Sequence, residues 1–596
     1  MRRPVRFLAL LAWLLPALVL AQPVVPAKPV ARLAEQRSID GLIVRLKDAP
    51  SHEQALALGS AGVVEQRLQG VLRRAGVATA RIRPTGRASQ RIDLGSMLGR
   101  DAAERIADRL RAQPEVQWVE LNEREHRLAA PVPNDPFYQS GQQWWLQQLP
   151  AAAGYAGAPG FAAAWGTSTG AAVPAAVVAV LDTGITCHDD LGNMTSGCIG
   201  GHVLPGYDLV SDVTFANDGN GRDADPRDPG DWVSSADLAN PLFADCTVEN
   251  SSWHGTDITG LIGALTDNAN GVAAINWQAQ VVPVRVAGKC GADVTDIVDG
   301  MRWAAGLAVP DGHGGTLPLN PNPARIVNIS FGSSNACGPE YQAAIDELAG
   351  RGVVVVAAAG NERAGSLDRP ANCSGVVAVG AVNQDGFKSN YSNFGAAAPG
   401  SLLLMTVGGD PPQDGAWGSL LGDSGLLTLD NFGQTTPGSA SYARLYGTSF
   451  STPLVAGTAS LMLGLNPNLS AADIIRGLQA SARPHVTSNL IGTCSAANPG
   501  RCICTTSTCG AGLLDAAEAL SFAQNPATYV PPARQPVLID NAGIQQAVAT
   551  SAQDEAGTGP APPPPSSSGG GGALDPTLLV ARAMAVLAVA RASREG

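Results

Sequence analysis

The sequence predicts an α/β fold, a parallel β-sheet flanked by helices on both faces, preceded by a small α+β module. Two observations predict the sheet. Short, continuous apolar runs recur at 177–181 (VVAVL), 281–286 (VVPVRV), 326–329 (IVNI), 353–358 (VVVVAA) and 376–379 (VVAV). They are rich in β-branched residues and lack polar alternation, the pattern of strands buried on both faces. Helix-length segments lie between them at 257–265, 295–305 and 340–351, and strand–helix alternation makes a parallel sheet. A third observation, an uneven division of charge, separates the smaller module from the rest.

The 596 residues carry 39 basic and 51 acidic groups, net −12. Residues 1–130 hold 21 basic and 13 acidic residues (net +8), and the remainder 18 and 38 (net −20). Opposite signs in two pieces point to pieces that meet. No overall basic footprint for nucleic acid exists. With 45% apolar and 15% charged residues, 69 Gly and 43 Pro, the chain is neither a coiled coil nor wholly disordered. No internal apolar stretch reaches the roughly 18 residues of a membrane span.

Residues 1–21 read as a secretory signal: Arg2, Arg3 and Arg6, an apolar run over 7–20, and Val19-Leu20-Ala21 as a small-residue cleavage site. Pro16 and the shortness of the run count against a membrane anchor. Export places the ten cysteines in an oxidising compartment, so structural disulfides are expected. Cys502, Cys504 and Cys509 read as a stapled loop rather than a metal site.

Within 22–133, strands are expected at 41–46 (GLIVRL), 90–94 and 116–121 (VQWVEL), with a charged amphipathic helix at 100–112. A Pro-rich hinge, 130–136 (APVPNDP), leads into the α/β domain, 134–525. A linker, 526–572, ends in runs of Pro, Ser and Gly. The tail, 573–596, is apolar with Arg582 inside it and Arg591 and Arg594 near its end. It reads either as a sorting or anchoring segment with transient membrane contact or as an Ala-rich disordered end; Arg582 is costly in mid-bilayer.

Four segments carry chemistry. A buried strand ends in Asp182-Thr183-Gly184; Ser252-Trp253-His254-Gly255-Thr256 precedes a helix pattern; Gly447-Thr448-Ser449-Phe450-Ser451-Thr452-Pro453 precedes an apolar helix. A serine hydroxyl is a weak nucleophile without a base in hydrogen-bond reach, and the base needs an orienting carboxylate. Asp182, His254 and Ser449 supply these types. Their chain order, and the lack of a G-x-S-x-G elbow, disfavour a lipase or esterase. The fourth segment, 353–362 (VVVVAAAGNE), is a strand leading to Asn361. Its side chain can donate to the oxyanion of a tetrahedral intermediate, together with the Ser449 backbone N–H.

These segments resemble those of the subtilisin-like serine proteases, the subtilases, in secreted bacterial form, over roughly 134–525. The 38–127 stretch is similar to the family's N-terminal propeptide, which implies a ferredoxin-like unit acting as intramolecular inhibitor and folding aid. The resemblance implies Asp182 as orienting carboxylate, His254 as general base, Ser449 as nucleophile and Asn361 as oxyanion donor. It implies protein or peptide substrates held along Ser330, Phe331 and Gly332, with Ala358 and Gly360 opposite. A self-processed, secreted and monomeric serine endopeptidase is expected. The alternative is a catalytically silent domain of this fold used for binding or surface display.

Asp257 stands where the family commonly has a second histidine, three residues beyond His254 and on its side of the helix. There it would favour imidazolium, or act as a cap or cation ligand. Phe450-Ser451-Thr452 replaces the commoner Met-Ala-Ala and reads as a packing substitution. Calcium is the expected metal. Asp218, Asn220, Asp223 and Asp225, with Asp228 and Asp231 beyond them, make an oxygen-rich loop of the hard-ligand kind, and the resemblance adds Asp190 and Asp267. At the specificity pocket, Glu362 and Asp368 are expected to add tolerance of basic residues to a preference for Leu, Phe and Met. Arg363 and Arg369 compete as neutralising partners.

Overall fold

The computed structural model describes residues 39–540, except 51, 58–60, 79–80, 86–87, 123–129, 149–153, 171–174, 196 and 413–420, together with Gln545. The expected signal, the 541–572 part of the linker apart from Gln545, and the apolar tail lie outside the described residues. The chain divides into two compact units at Leu128/Ala129; the sequence places the boundary at 133/134.

The first unit has strands β1 (Ile39–Leu46), β2 (Arg81–Pro84), β3 (Ser89–Leu98) and β4 (Val116–Leu121), in the order β2-β3-β1-β4. All pairs are antiparallel. Helices Ala61–Arg74 and Arg100–Arg111 connect β1 to β2 and β3 to β4, a β-α-β-β-α-β sequence of elements. Alternation along β1 buries Leu42, Val44 and Leu46. Ala103, Ala107 and Leu110, at helical spacing, join them in the core.

In the second unit, β5 (Val177–Asp182), β6 (Tyr207–Asp208), β7 (Gln280–Arg285), β10 (Ile326–Ile329), β11 (Val354–Ala358), β12 (Val377–Val382) and β13 (Leu402–Val407) form a seven-stranded sheet. Its order is β13-β12-β11-β10-β5-β7-β6 and every pair is parallel. A short pair, β8 (Ala287–Gly288) and β9 (Gly291–Ala292), follows β7, and β14 (Leu426–Asn431) pairs antiparallel with β15 (Ala440–Leu445). The expected parallel α/β architecture holds; this hairpin is an addition to it. The chain starts at β5 and later extends the sheet on both of its sides. The β5/β10 junction is therefore a switch point, where open α/β sheets gather their functional groups.

Helix Thr448–Leu465 is buried on every side over 448–463, as a helix through the centre of a large core must be. The ten cysteines form five disulfides: Cys187–Cys198, Cys246–Cys290, Cys337–Cys373, Cys494–Cys502 and Cys504–Cys509. The stapled-loop reading of the last cluster is correct. Residues 526–540, assigned by composition to the linker, are tied to this unit. Ile539 N donates to Thr487 O at 2.8 Å, Arg534 pairs with Asp515 and Glu518, and Asp540 accepts from Ser488 and Asn489. Among the described residues, no helix is long and apolar enough to cross a membrane.

Candidate active site

Register aligns the strand ends that carry the chemistry: Leu181 of β5 pairs with Ile329 of β10, which pairs with Ala357 of β11. Asp182 ends β5, Ser330 follows β10, and Asn361 follows β11 past Gly360. Gly360 sits at φ +108, and a Cβ there would lie 2.2 Å from Asn393 Nδ2. The turn that delivers Asn361 thus requires glycine.

His254 opens helix His254–Gly263 directly after Trp253, a non-glycine residue at φ 56. Trp253 is held there by its indole N–H, which donates to Gly433 O at 2.7 Å, in the turn between β14 and β15. His254 Nδ1 lies 2.8 Å from Asp182 Oδ1, which also accepts from Thr183 N at 2.9 Å. The imidazole therefore carries its proton on Nδ1, as assigned from the hydrogen-bond network, and Nε2 is left as the base. Nε2 has no hydrogen-bond partner among the described residues. The Phe450 ring packs edge-on against the imidazole at 5.5 Å.

Ser449 lies in the first turn of helix Thr448–Leu465, where backbone N–H groups have no intrahelical acceptor. Its hydroxyl donates to Ser330 O at 2.7 Å, and Ser330 Oγ donates to Ser449 O at 2.9 Å. Asn361 Oδ1 accepts from both Thr448 N and Thr448 Oγ1 at 3.0 Å. That fixes the amide orientation and leaves Nδ2 as a donor beside the nucleophile.

Burial, the largest influence on His254, lowers its pKa; Asp182, then Asp231 and Asp228, outweigh it and leave the imidazole raised above 6.5. Sequence reasoning placed Asp228 and Asp231 in a metal loop and offered Asp257 as a charge on His254, a cap or a cation ligand. The structure instead puts the first two behind the triad. Asp228 accepts from Thr183 Oγ1 at 2.6 Å, and Asp231 from Ser252 N and Oγ at 2.7 Å. Asp257 is buried in the helix at 2% exposure, where Thr428 Oγ1 bonds its backbone carbonyl. No local pattern marks Asp228 and Asp231 as neighbours of His254.

The segments around Ser333 and Ala359 are joined through residues 368–369. Asp368 N donates to Ala359 O and Arg369 N to Ser333 O, both at 2.9 Å. The built Cβ positions of Gly332 and Gly360 fall 3.3 Å from Asp368 Cβ and 2.7 Å from its Oδ2. Asp368 thus lies between the Gly332 and Gly360 segments. Burial, then the neighbouring Glu362, pushes its pKa up to about 7. Glu362 accepts from Asn361 N at 2.8 Å and from Asn393 Nδ2 at 2.7 Å. Arg369 turns away, bonding Ser333 Oγ at 3.0 Å and lying 5.7 Å from the Tyr341 ring.

The residues expected to bind calcium separate into two groups. On the 217–231 loop, Asp218 pairs with Arg285 at 2.9 Å, Asp225 pairs with Arg227, and Asn220 Nδ2 bonds Asp223. Protein donors already occupy these groups. At the other place, Asp190 is fully buried and faces the loop containing Asp267, where Asn268 Nδ2 and Val272 N donate to it at 3.0 and 2.7 Å. Asp135, missed from the sequence, accepts from Asp267 N at 2.9 Å. Burial drives Asp190 up to about 7 and Asp135 to about 6, each also raised by a nearby carboxylate. Asp190 and Asp135, buried and in no ion pair with Lys or Arg among the described residues, are oxygen donors of the kind that fits Ca²⁺.

Residues 174–499 match the Subtilase family. An extracellular protease of Xanthomonas campestris is 38% identical over 435 residues, spanning 72% of this chain but 63% of that protein. An extracellular basic protease of Dichelobacter nodosus is 33% identical over 505 residues, 83% of this chain and 73% of that protein. A solved protease from Pseudoalteromonas arctica superposes with TM-score 0.53 at 38% identity, covering 66% of this chain and 100% of its own. With this match spanning the strand ends that carry Asp182, His254, Asn361 and Ser449, the chain belongs to the subtilase family.

Proposed function

We propose that the protein is an exported serine endopeptidase made as a self-processed precursor. One observation carries the reading: Asp182 and His254 at 2.8 Å, with an unpartnered Nε2, beside a serine whose preceding residue is clasped by Asn361. In this mechanism the Ser449 hydroxyl leaves the Ser330 carbonyl and gives its proton to His254 Nε2 as Oγ attacks the scissile carbonyl. Asp182 stabilises the imidazolium. Asn361 Nδ2 and Ser449 N hold the oxyanion. His254 then protonates the departing amine, leaving an acyl-Ser449 that water hydrolyses by the same steps.

The substrate lies extended along Ser330, Phe331 and Gly332, adding a strand to that edge. Ala358, Gly360, Glu362 and Asp368 shape the pocket for the residue before the scissile bond. Calcium is proposed at the Asp135–Asp190–Asp267 loop, where it would supply charge neutralisation and loop rigidity and no catalytic step. The basic 22–133 segment serves as the intramolecular inhibitor of the acidic catalytic domain, and export is supported by relatives named as extracellular. The test is maturation. Ser449→Ala precursor, purified away from other proteases, is expected to keep 22–133 attached; normal trimming would overturn self-processing.

A further inference from the structure

A cavity of about 200 Å³ runs beside the triad, from Asp182 and Ser252 to Phe331 and Gly332. Its lining is of two chemical kinds: an apolar part with Val294, Ile297 and Tyr341, and an acidic part with Asp182, Asp231 and Glu249. Asp182 is 1% exposed, and its Oδ2 has no hydrogen-bond partner among the described residues. Asp231 receives hydrogen bonds from Ser252 alone among the bonds described. Glu249 bonds Val233 through its backbone, while its carboxyl has neither hydrogen bond nor ion pair among the described residues.

Nearby cations are committed elsewhere. Lys289 pairs with Asp237 at 2.9 Å and sits 3.9 Å above the Trp232 ring. Arg285 is paired with Asp208 and Asp218. Arg369, which also lines the cavity, bonds Ser333. The acidic part gathers negative charge in a concave site where, among the described residues, neither Asp231 nor Glu249 is paired with a Lys or Arg and His254 is the positive group that acts on Asp231. Glu249 is solvent-exposed here; partial desolvation, followed by the neighbouring Asp231 charge, pushes its carboxyl up to about 7.

Strand geometry says what meets this part. The substrate residue whose carbonyl reaches Ser449 points its side chain down between the Gly332 and Gly360 segments toward Asp368. Successive side chains of an extended peptide point to opposite faces. The residue before it therefore points away from Asp368, toward Ser252, Asp231 and Glu249. The next residue on the same face lies about 6.5–7 Å further on, at the apolar part.

We propose that Asp231 and Glu249 form a subsite for a lysine or arginine side chain at the second substrate residue before the scissile bond. The inference rests on the endopeptidase reading and adds to it a preference that the triad does not contain. A substrate ammonium or guanidinium would make charge-assisted hydrogen bonds there, and its stem would cover the Ser252 side of the cavity.

The experiment uses the purified enzyme and tetrapeptide anilides identical except at the second residue before the cut: Lys, Arg, norleucine or Glu. The expected result is kcat/KM at least tenfold higher for Lys and Arg than for norleucine, with Glu poorest. Glu249→Gln is the deciding variant, because its carboxyl holds no internal hydrogen bond; the Lys/norleucine ratio should fall at least threefold. Asp231→Asn should lower the same ratio. Equal rates for Lys and norleucine, or a ratio unmoved in both variants, overturns the subsite and leaves the peptidase reading standing. Failure to cleave any of the peptides overturns both.

Discussion

Ser330 and Ser449 exchange reciprocal hydrogen bonds: Ser330 Oγ donates to Ser449 O at 2.9 Å, and Ser449 Oγ to Ser330 O at 2.7 Å. The first follows from Pro453, four residues beyond Ser449 inside the same helix. Proline has no N–H for the i−4 carbonyl, so Ser449 O needs another donor. The second holds the Ser449 hydroxyl on the segment proposed as the substrate edge, while His254 Nε2 has no hydrogen-bond partner among the described residues.

Ser330→Ala removes the only donor described for Ser449 O and also an acceptor of Asn328 Nδ2 at 2.9 Å. An orphaned buried carbonyl costs about 1–3 kcal/mol. The unfolding free energy should fall by that amount, seen as a lower urea midpoint at constant slope, with kcat/KM lowered as well. A stability change below about 0.5 kcal/mol, the scale of an ordinary surface substitution, would contradict the role assigned to this bond.

The pH dependence follows from His254. The base must be neutral to accept the Ser449 proton, and its pKa is raised, so kcat/KM should fall as pH drops through a value above 6.5. Asp231→Asn removes one of the raising charges. Its acid limb should move to lower pH, and a limb unmoved or shifted upward would show that Asp231 does not act on His254.

Calcium and pH should be linked through Asp190 and Asp135. Their folded pKa values, about 7 and about 6, lie above the unfolded value. Their stabilising contribution is therefore present at low pH and lost as pH rises through 6–7. In chelator, Tm should fall between pH 5 and pH 8. Calcium at 100 times its Kd adds about 2.7 kcal/mol, so it should restore Tm at pH 8 and do far less at pH 5. Equal Tm with and without calcium at pH 8 would remove the metal from this loop.

Asp368, proposed as part of the pocket, predicts the choice of the residue directly before the cut. Peptides with Leu, Phe, Lys, Arg or Asp there should rank with Lys and Arg within about tenfold of Leu and with Asp last, since a charge-assisted bond is worth about 1.5–3 kcal/mol. Asp368→Asn should lower Lys and Arg relative to Leu. If Lys and Arg are cut as poorly as Asp, the carboxylate does not serve the pocket.

Asp182, His254, Ser449 and Asn361, the groups proposed for catalysis, were legible because each lies by the end of a β-branched strand or the start of a helix pattern, and because the four segments together resemble the subtilases. The strand Leu402–Val407 was not. It carries Leu and Met where the other strands carry Val and Ile, and a test for β-branched runs passes over it. Asp228 and Asp231 were illegible as site residues for a different reason. Their neighbour is His254, brought to them only by the β5 end and the turn before its helix, and a stretch of acids and glycines reads the same on a surface or beside a triad. Residues 526–540 look like linker because Pro and polar groups dominate them, yet Arg534, Asp540 and Ile539 anchor them one by one.

The central claim is that Ser449 is a nucleophile activated by His254. A fluorophosphonate probe tests it directly, because it forms a stable bond only with an activated serine hydroxyl. Incubated with the purified enzyme and mapped by peptide mass spectrometry, the probe should label Ser449 stoichiometrically, and labelling should be lost in His254→Ala. An unlabelled protein beside a fully labelled active control would contradict the account and identify the chain as a silent subtilase-fold domain.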